Sequence, residues 1–129
     1  MLFRSKAGLV TMTLYLAHEL KPYNIAANIL LPHHTRTTGS DEQDELHRQR
    51  RLRTAPPGTE VYMPLRAVPA HVVPLALHLA EQDSEGTSGQ VLSAMQWNEQ
   101  HGLGDIERWA YPDDLVSSTH RRFGAPAAR

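Results

Sequence analysis

The sequence predicts an α/β layer architecture, and three observations carry that reading. A helical apolar pattern runs from near the start of the chain to Leu20, and a second spans residues 69–80. Two short, nearly continuous apolar runs, 25–31 and 89–95, follow these helices. Such runs suit strands buried on both faces of a parallel sheet, and alternation of helices with buried strands is the pattern of an α/β fold. Two parallel strands with so few covering helices make little sheet for one domain, so the chain reads as part of something larger.

Composition bounds the function classes. The chain has 129 residues, within the range of one compact domain, with 40% hydrophobic and 21% charged residues, which argues against a disordered or fibrous chain. Thirteen Lys+Arg against fourteen Asp+Glu leave a formal charge of -1. A general nucleic-acid binder normally carries a basic excess, so no nucleic-acid partner is expected. There is no cysteine. That excludes disulfide scaffolds, thiolate zinc sites and cysteine nucleophiles, and it permits a reducing compartment.

Arg4 and Lys6 ahead of the apolar stretch 7–17 imitate a secretory signal. Thr11 and Thr13 interrupt the stretch, and His18 and Glu19 stand where a cleavage pattern would follow. An amphipathic helix is the better reading, with Phe3, Leu9, Val10, Leu14, Ala17 and Leu20 on a broad apolar face. No segment has the roughly 20 apolar residues that span a bilayer, so a soluble, cytoplasmic protein is expected. Lys21-Pro22 ends this helix and Tyr23-Asn24 makes the turn. The first strand, 25–31, is closed by Pro32.

From 33 to 66 the character is polar. Ser40 and Gln43 form a plausible capping box, followed by Asp41, Glu42, Asp44 and Glu45, then Arg48, Arg50, Arg51 and Arg53. Acids first and bases last complement the helix dipole, so this is a solvated helix rather than a basic patch. Residues 54–64, with three prolines and Gly58, read as a loop. Pro69 opens the next helix, whose apolar face is Val72, Val73, Leu75, Ala76, Leu79 and Ala80, with Pro74 expected to kink it. A polar connection, 81–88, leads to the second strand, 89–95, and the chain after Trp97 reads as irregular, with a frayed end.

Four ordered blocks then carry a resemblance. They are Ser5-Lys6-Ala7-Gly8-Leu9, the run from Ala17 through Lys21-Pro22-Tyr23-Asn24-Ile25, Asn28-Ile29-Leu30-Leu31-Pro32, and Leu77-His78-Leu79-Ala80 with Gly86-Thr87-Ser88-Gly89-Gln90-Val91-Leu92. Together the chain resembles the C-terminal portion of the short-chain dehydrogenase/reductase family. The resemblance implies residues 1–97 to be the second half of a doubly wound, Rossmann-type parallel sheet, with 38–68 a substrate-loop insertion acting as a lid and 98–129 a tail. The N-terminal nucleotide-binding half is expected to be missing. The full form is implied to be an NAD(P)-dependent oxidoreductase that moves a hydride between the nicotinamide cofactor and an alcohol or carbonyl substrate.

Carried over by position, Lys6 matches the lysine of the family's Tyr-x-x-x-Lys pair. Its ammonium would bond the nicotinamide ribose and lower the pKa of a tyrosine one helical turn earlier. That position is Leu2, which has no proton to give. Pro32, His33, Thr35 and Thr37 match the segment that borders the nicotinamide, with His33 replacing the glycine of a Pro-Gly turn. His33 and His34, adjacent on an extended chain, point opposite ways with no carboxylate obviously near, so no metal is expected. His18, His71 and His78 read as surface or packing residues. The family's Gly-rich phosphate loop, its ribose-selecting acid and its catalytic serine would all lie upstream of Met1, and Gly102-Leu103-Gly104 reads as a turn.

These readings lead to a chain expected to be truncated and inactive as an isolated dehydrogenase, with binding of NAD or NADP by the chain alone doubtful. The alternative expectation is an interaction fragment, a homo-oligomer or a module docking onto a full-length related subunit. A third is a reading frame cut at an internal methionine.

Overall fold

The computed structural model describes the backbone of residues 2–116 and 122–124. It divides into two compact units: residues 1–32 with 71–103, and 33–70 with 104–129.

In the first unit, α1 (Leu2–Leu20) is one continuous helix. Its interior threonines are accommodated because Thr11 and Thr13 donate their hydroxyls to the Ala7 and Leu9 carbonyls, at 3.1 and 2.9 Å. Lys21-Pro22-Tyr23 tightens into a 3-10 turn, and Asn24 closes it in the left-handed region at φ 56°. Asn is one of the few residues that enters this region cheaply. The expected apolar face is present but open. Ala17 is buried and Val10 and Leu20 are half-buried, whereas Leu9, Leu14 and Leu16 are exposed; off that face, Met12 is 53% and Tyr15 62% exposed.

The parallel pair exists, in shorter form than expected. Strand β1 (Ile29–Leu31) pairs with β3 (Val91–Ser93), with Ile29 opposite Val91 and Leu31 opposite Ser93. Residues 25–28 are not strand. Asn28 instead uses its side chain, donating to the Thr87 carbonyl at 2.7 Å and accepting from the Gln90 N–H at 3.1 Å. At the other end Ser93 is an N-cap, its hydroxyl accepting from the Gln96 N–H, so Ala94 and Met95 begin a helix rather than extend the strand. Burial on both faces also fails: Ile25, Leu31 and Val91 are exposed. One three-residue neighbour covers only one edge of each strand.

The helix expected from Pro69 is split. Pro69–Val72 forms a 3-10 turn, and α3 (Val73–Ala80) begins just before Pro74. Pro74 therefore sits in the first turn, where its missing N–H costs nothing, and does not kink the helix. Only Leu75 of its expected face is fully buried, while Val73, Ala76 and Ala80 are exposed. Helix α4 (Ala94–Gln100) follows, burying Ala94, Met95 and Asn98. The Asn98 amide donates to the His71 carbonyl at 2.9 Å, and His71 is itself fully buried.

In the second unit, α2 (Thr38–Thr54) is the polar helix. Its capping box differs from the expected pair: Thr37 is the N-cap and Ser40 the reciprocal partner, three residues earlier than Ser40 and Gln43. The segment expected to be loop contains β2 (Glu60–Tyr62), antiparallel to β4 (Arg122–Gly124). Ala67 is fully buried and bridges to Thr35 on one side and to Ala110 on the other. The region after Trp97 is more regular than expected, because α4 runs to Gln100 and two short helices follow, α5 (Ile106–Trp109) and α6 (Pro112–Val116). Asp105 caps α5 through the Glu107 and Arg108 N–H groups. The frayed end expected at 125–129 lies outside the described residues, as does Met1.

Candidate functional site

The predicted site residues fall into two sets, one in each unit. In the first unit Lys6 lies in the N-terminal part of α1, with its side chain exposed. Pro32, also exposed, follows the last residue of β1. The strand is set against α1 by the return segment 87–90. The Gly89 N–H donates to the Ala27 carbonyl at 2.8 Å, and the Ser88 hydroxyl accepts from the Ala27 N–H at 3.2 Å. Gly89 has a φ of 70°, and a Cβ there would stand 3.5 Å from the Ala17 Cβ. The left-handed backbone, rather than the lack of space, is what favours glycine at this crossing of helix and turn.

In the second unit His33, Thr35 and Thr37 follow one another along the start of the unit, and the two threonines are engaged locally. The Thr35 hydroxyl donates to the His33 carbonyl at 2.6 Å. The Thr37 hydroxyl accepts from the Ser40 N–H at 3.2 Å, while the Thr37 N–H donates to the Ser40 hydroxyl at 2.8 Å. Satisfying the first turn of α2 is thus the structural use of Thr37.

A charged network that the sequence reading missed surrounds these residues. Arg66 is its hub, with a side chain only 11% exposed. Its guanidinium clamps Asp114 by two bonds, Nε at 3.0 Å and Nη2 at 2.8 Å, and its backbone N–H adds a third at 2.9 Å. Nη1 reaches Asp41 at 2.5 Å and Asp44 at 3.3 Å. Arg36 holds Asp41 from the other side at 2.9 Å, donates to the Tyr111 hydroxyl at 2.9 Å, and lies over the Tyr111 ring. The His34 Nε2 is 3.0 Å from Asp44, which corrects the expectation that no carboxylate stands near this pair of histidines. Among the described residues no group of three or more His, Cys, Asp or Glu is arranged to hold a metal ion.

The electrostatics follow the geometry. Burial pushes the Asp41 carboxyl up, but hydrogen bonds from Arg36 and Arg66, with their charges, outweigh it and hold it below the ordinary value. The hydrogen bonds of Asp114 raise the Arg66 pKa against the opposing effect of burial. On the outer turn of α2, bonds from Arg48 and then Gln49 hold Glu45 down at about 2. Asp114, 2% exposed, is the anion whose burial needs this compensation. No sequence signal marks the cluster, because its central pair is separated by 48 residues.

His71, His78, His101 and His18 are packing residues or surface groups. His71 is buried, and His78 and His101 flank the Trp97 ring at centroid distances of 4.3 and 3.8 Å. His18 is exposed on α1. No described helix is long and apolar enough to cross a membrane.

A helix bearing Ser5 and Lys6, then a strand closed by Pro32 and paired in parallel with a second strand after a Gly-Thr-Ser-Gly turn, make an α/β arrangement with a short parallel sheet. The sequence model of the family described as Enoyl-(Acyl carrier protein) reductase matches residues 2–94. The chain belongs to the short-chain dehydrogenase/reductase family. Among curated proteins it is similar to fluoren-9-ol dehydrogenase of Terrabacter sp. (strain DBF63), with 33% identity over 105 residues. That alignment covers 81% of this chain and 27% of the relative, so the chain spans about a quarter of the length of the curated protein it matches. No solved structure gives a significant match.

Proposed function

We propose that the chain carries the nicotinamide-side portion of a short-chain oxidoreductase and does not by itself turn over substrate. The observation that carries the proposal is the family match over 2–94, with Lys6 on α1 and Leu2 one turn before it. By the family resemblance, Lys6 is assigned the nicotinamide ribose, Pro32, His33, Thr35 and Thr37 are assigned contacts to the nicotinamide, and 38–68 is assigned the role of a substrate loop. Leu2 offers no proton for an alcohol or carbonyl oxygen, so the proton transfer that accompanies hydride transfer lacks its donor.

Among the described residues, Lys6 and Thr37 offer groups suited to the nicotinamide end of NAD or NADP. The exposed Lys6 ammonium suits ribose hydroxyls, and Thr37 keeps a hydroxyl proton to donate while its oxygen accepts from Ser40. A pyrophosphate needs free N–H groups at a helix start. The first turn of α2, by contrast, is capped by Thr37 and Ser40 and carries the Asp41 carboxylate. When bound, the cofactor would supply or accept the hydride. The side chains of this chain would only position it. The test is a turnover assay of purified protein with NAD and NADP across alcohols and ketones, with isothermal titration of each cofactor alongside. Weak or absent cofactor binding with no turnover is the expected result, and measurable hydride transfer would refute the proposal.

A second reading is favoured by one observation. The apolar residues Leu9, Met12, Tyr15 and Leu16 of α1 are exposed and lie within roughly 120° of the helix, an open face that suits docking onto a related subunit. Light scattering decides it: a monodisperse monomer at high concentration, with no binding to a full-length relative, would count against the docking role.

A further inference from the structure

Helix α2 has two unlike faces. Asp41, Asp44, Arg48 and Leu52 are half-buried, and Arg66 grips the two aspartates. On the opposite side Glu42, Gln43, Leu46, Gln49, Arg50 and Arg53 are exposed. At 3.6 residues per turn all six lie within roughly 60° of Leu46, in one stripe along the helix. Their alternating spacing is that of a helix-pairing seam. Leu46 is 64% exposed and stands midway between Thr38 and Thr54. About it the inner positions are matched: Glu42 precedes Leu46 by one turn and Arg50 follows by one turn, Gln43 and Gln49 are disposed likewise, and Arg53 stands opposite the position of Gly39.

We propose that this outer face of α2 is a self-contact, by which two copies of the chain pair their α2 helices antiparallel about a two-fold axis at Leu46. Leu46 then meets Leu46 of the partner subunit, and Glu42 meets the partner subunit's Arg50. Because the contact is isologous, that ion pair occurs twice. A parallel pairing would stack like charges on one another, which is unfavourable. An anionic polymer would meet Glu42 at one end of the stripe. The inner face remains committed to Arg66, so the pairing does not compete with the network that holds α2 in its own unit. A seam of one helix buries less than the roughly 1,200 Å² of stable complexes, so the association is weak and sensitive to salt. The inference is independent of the catalytic reading.

Because the chain has no cysteine, single-cysteine variants report the geometry directly. Under mild oxidation Leu46→Cys should form a disulfide-linked dimer at least about five-fold faster than Glu42→Cys, because two copies of residue 42 would be separated by eight residues, roughly 12 Å along the axis, beyond disulfide reach. High salt should remove the difference. In the Leu46→Cys background, Glu42→Arg and Arg50→Glu should each slow cross-linking, and an equimolar mixture of the two should restore it. Each single change juxtaposes like charges, whereas the mixed pair aligns opposite charges at both ends. Equal cross-linking at 42 and 46, absence of cross-linking at 46, or a mixture no faster than its components would overturn the proposal. All three positions are exposed, so unfolding does not confound the comparison, and circular dichroism verifies that α2 is retained.

Discussion

Replacing Arg66 with methionine removes the hub of the charged network while keeping most of its aliphatic volume. Asp114, 2% exposed, would lose two guanidinium bonds, while the bond from the backbone N–H of residue 66 remains. Breaking one side of a buried pair costs about 3–5 kcal/mol. The surviving backbone donor places this case toward the lower end, at about 3 kcal/mol. Removing both charges, as in Arg66→Met with Asp114→Leu, leaves no buried anion. Asp41 still has Arg36, and Asp44 still has His34. The double variant should therefore cost less than Arg66→Met alone, with a coupling of at least about 2 kcal/mol across the cycle. Urea unfolding gives the free energies. Hydrogen exchange at the Tyr111 and Ala67 amides, which bond the Arg66 and His34 carbonyls at 2.7 Å, localises the loss to this unit. A shift below about 0.5 kcal/mol for Arg66→Met, or strictly additive effects, would refute the hub role.

Acid should loosen the second unit. Asp41 is held below its ordinary 3.8 and Glu45 falls from 4.5 to about 2. A depressed carboxylate contributes stability that is fully present above its unfolded pKa and is lost as pH falls through its folded value. The urea midpoint should therefore be flat above about pH 5 and decline between about 4.5 and 2, and Glu45→Gln should flatten part of that decline; a midpoint insensitive to pH across this window contradicts the account. Gly89→Ala places a Cβ on a backbone at φ 70°, so it should destabilise the first unit by about 1–2 kcal/mol in thermal unfolding; no change would mean the turn relaxes freely. Thr37→Ala removes the N-cap of α2 and should cost about 1 kcal/mol with faster exchange in the first turn, whereas Gln43→Ala should be nearly silent.

The fold was legible where local signals and tertiary contacts agree. Lys21-Pro22 ends α1 as read, and the two apolar runs do pair in parallel. The strand lengths were misread because hydrophobicity alone cannot show that Asn28 and Ser93 divert the backbone to side-chain bonds and a helix cap. Pro74 was placed inside a helix because the pattern extends back to Pro69, while a 3-10 turn supplies those residues. Strand β2 was hidden in a proline-rich stretch because its partner, Arg122–Gly124, is about sixty residues away. Lys6 and the 32–37 segment are assigned to the site by the family resemblance alone. The Arg66–Asp114–Asp41 network was not legible, because isolated charges carry no periodicity and only the folded chain brings them together.

The central claim is that a short-chain dehydrogenase/reductase stretch with Lys6, but with Leu2 in place of the tyrosine, does not catalyse hydride transfer by itself. A steady-state assay of the purified 129-residue chain tests this most directly. It follows nicotinamide absorbance with NAD and NADP, in both directions, over a panel of alcohols and ketones that includes fluoren-9-ol. The account predicts rates indistinguishable from the protein-free blank throughout. A rate that scales with protein concentration and is abolished by Lys6→Ala would contradict it.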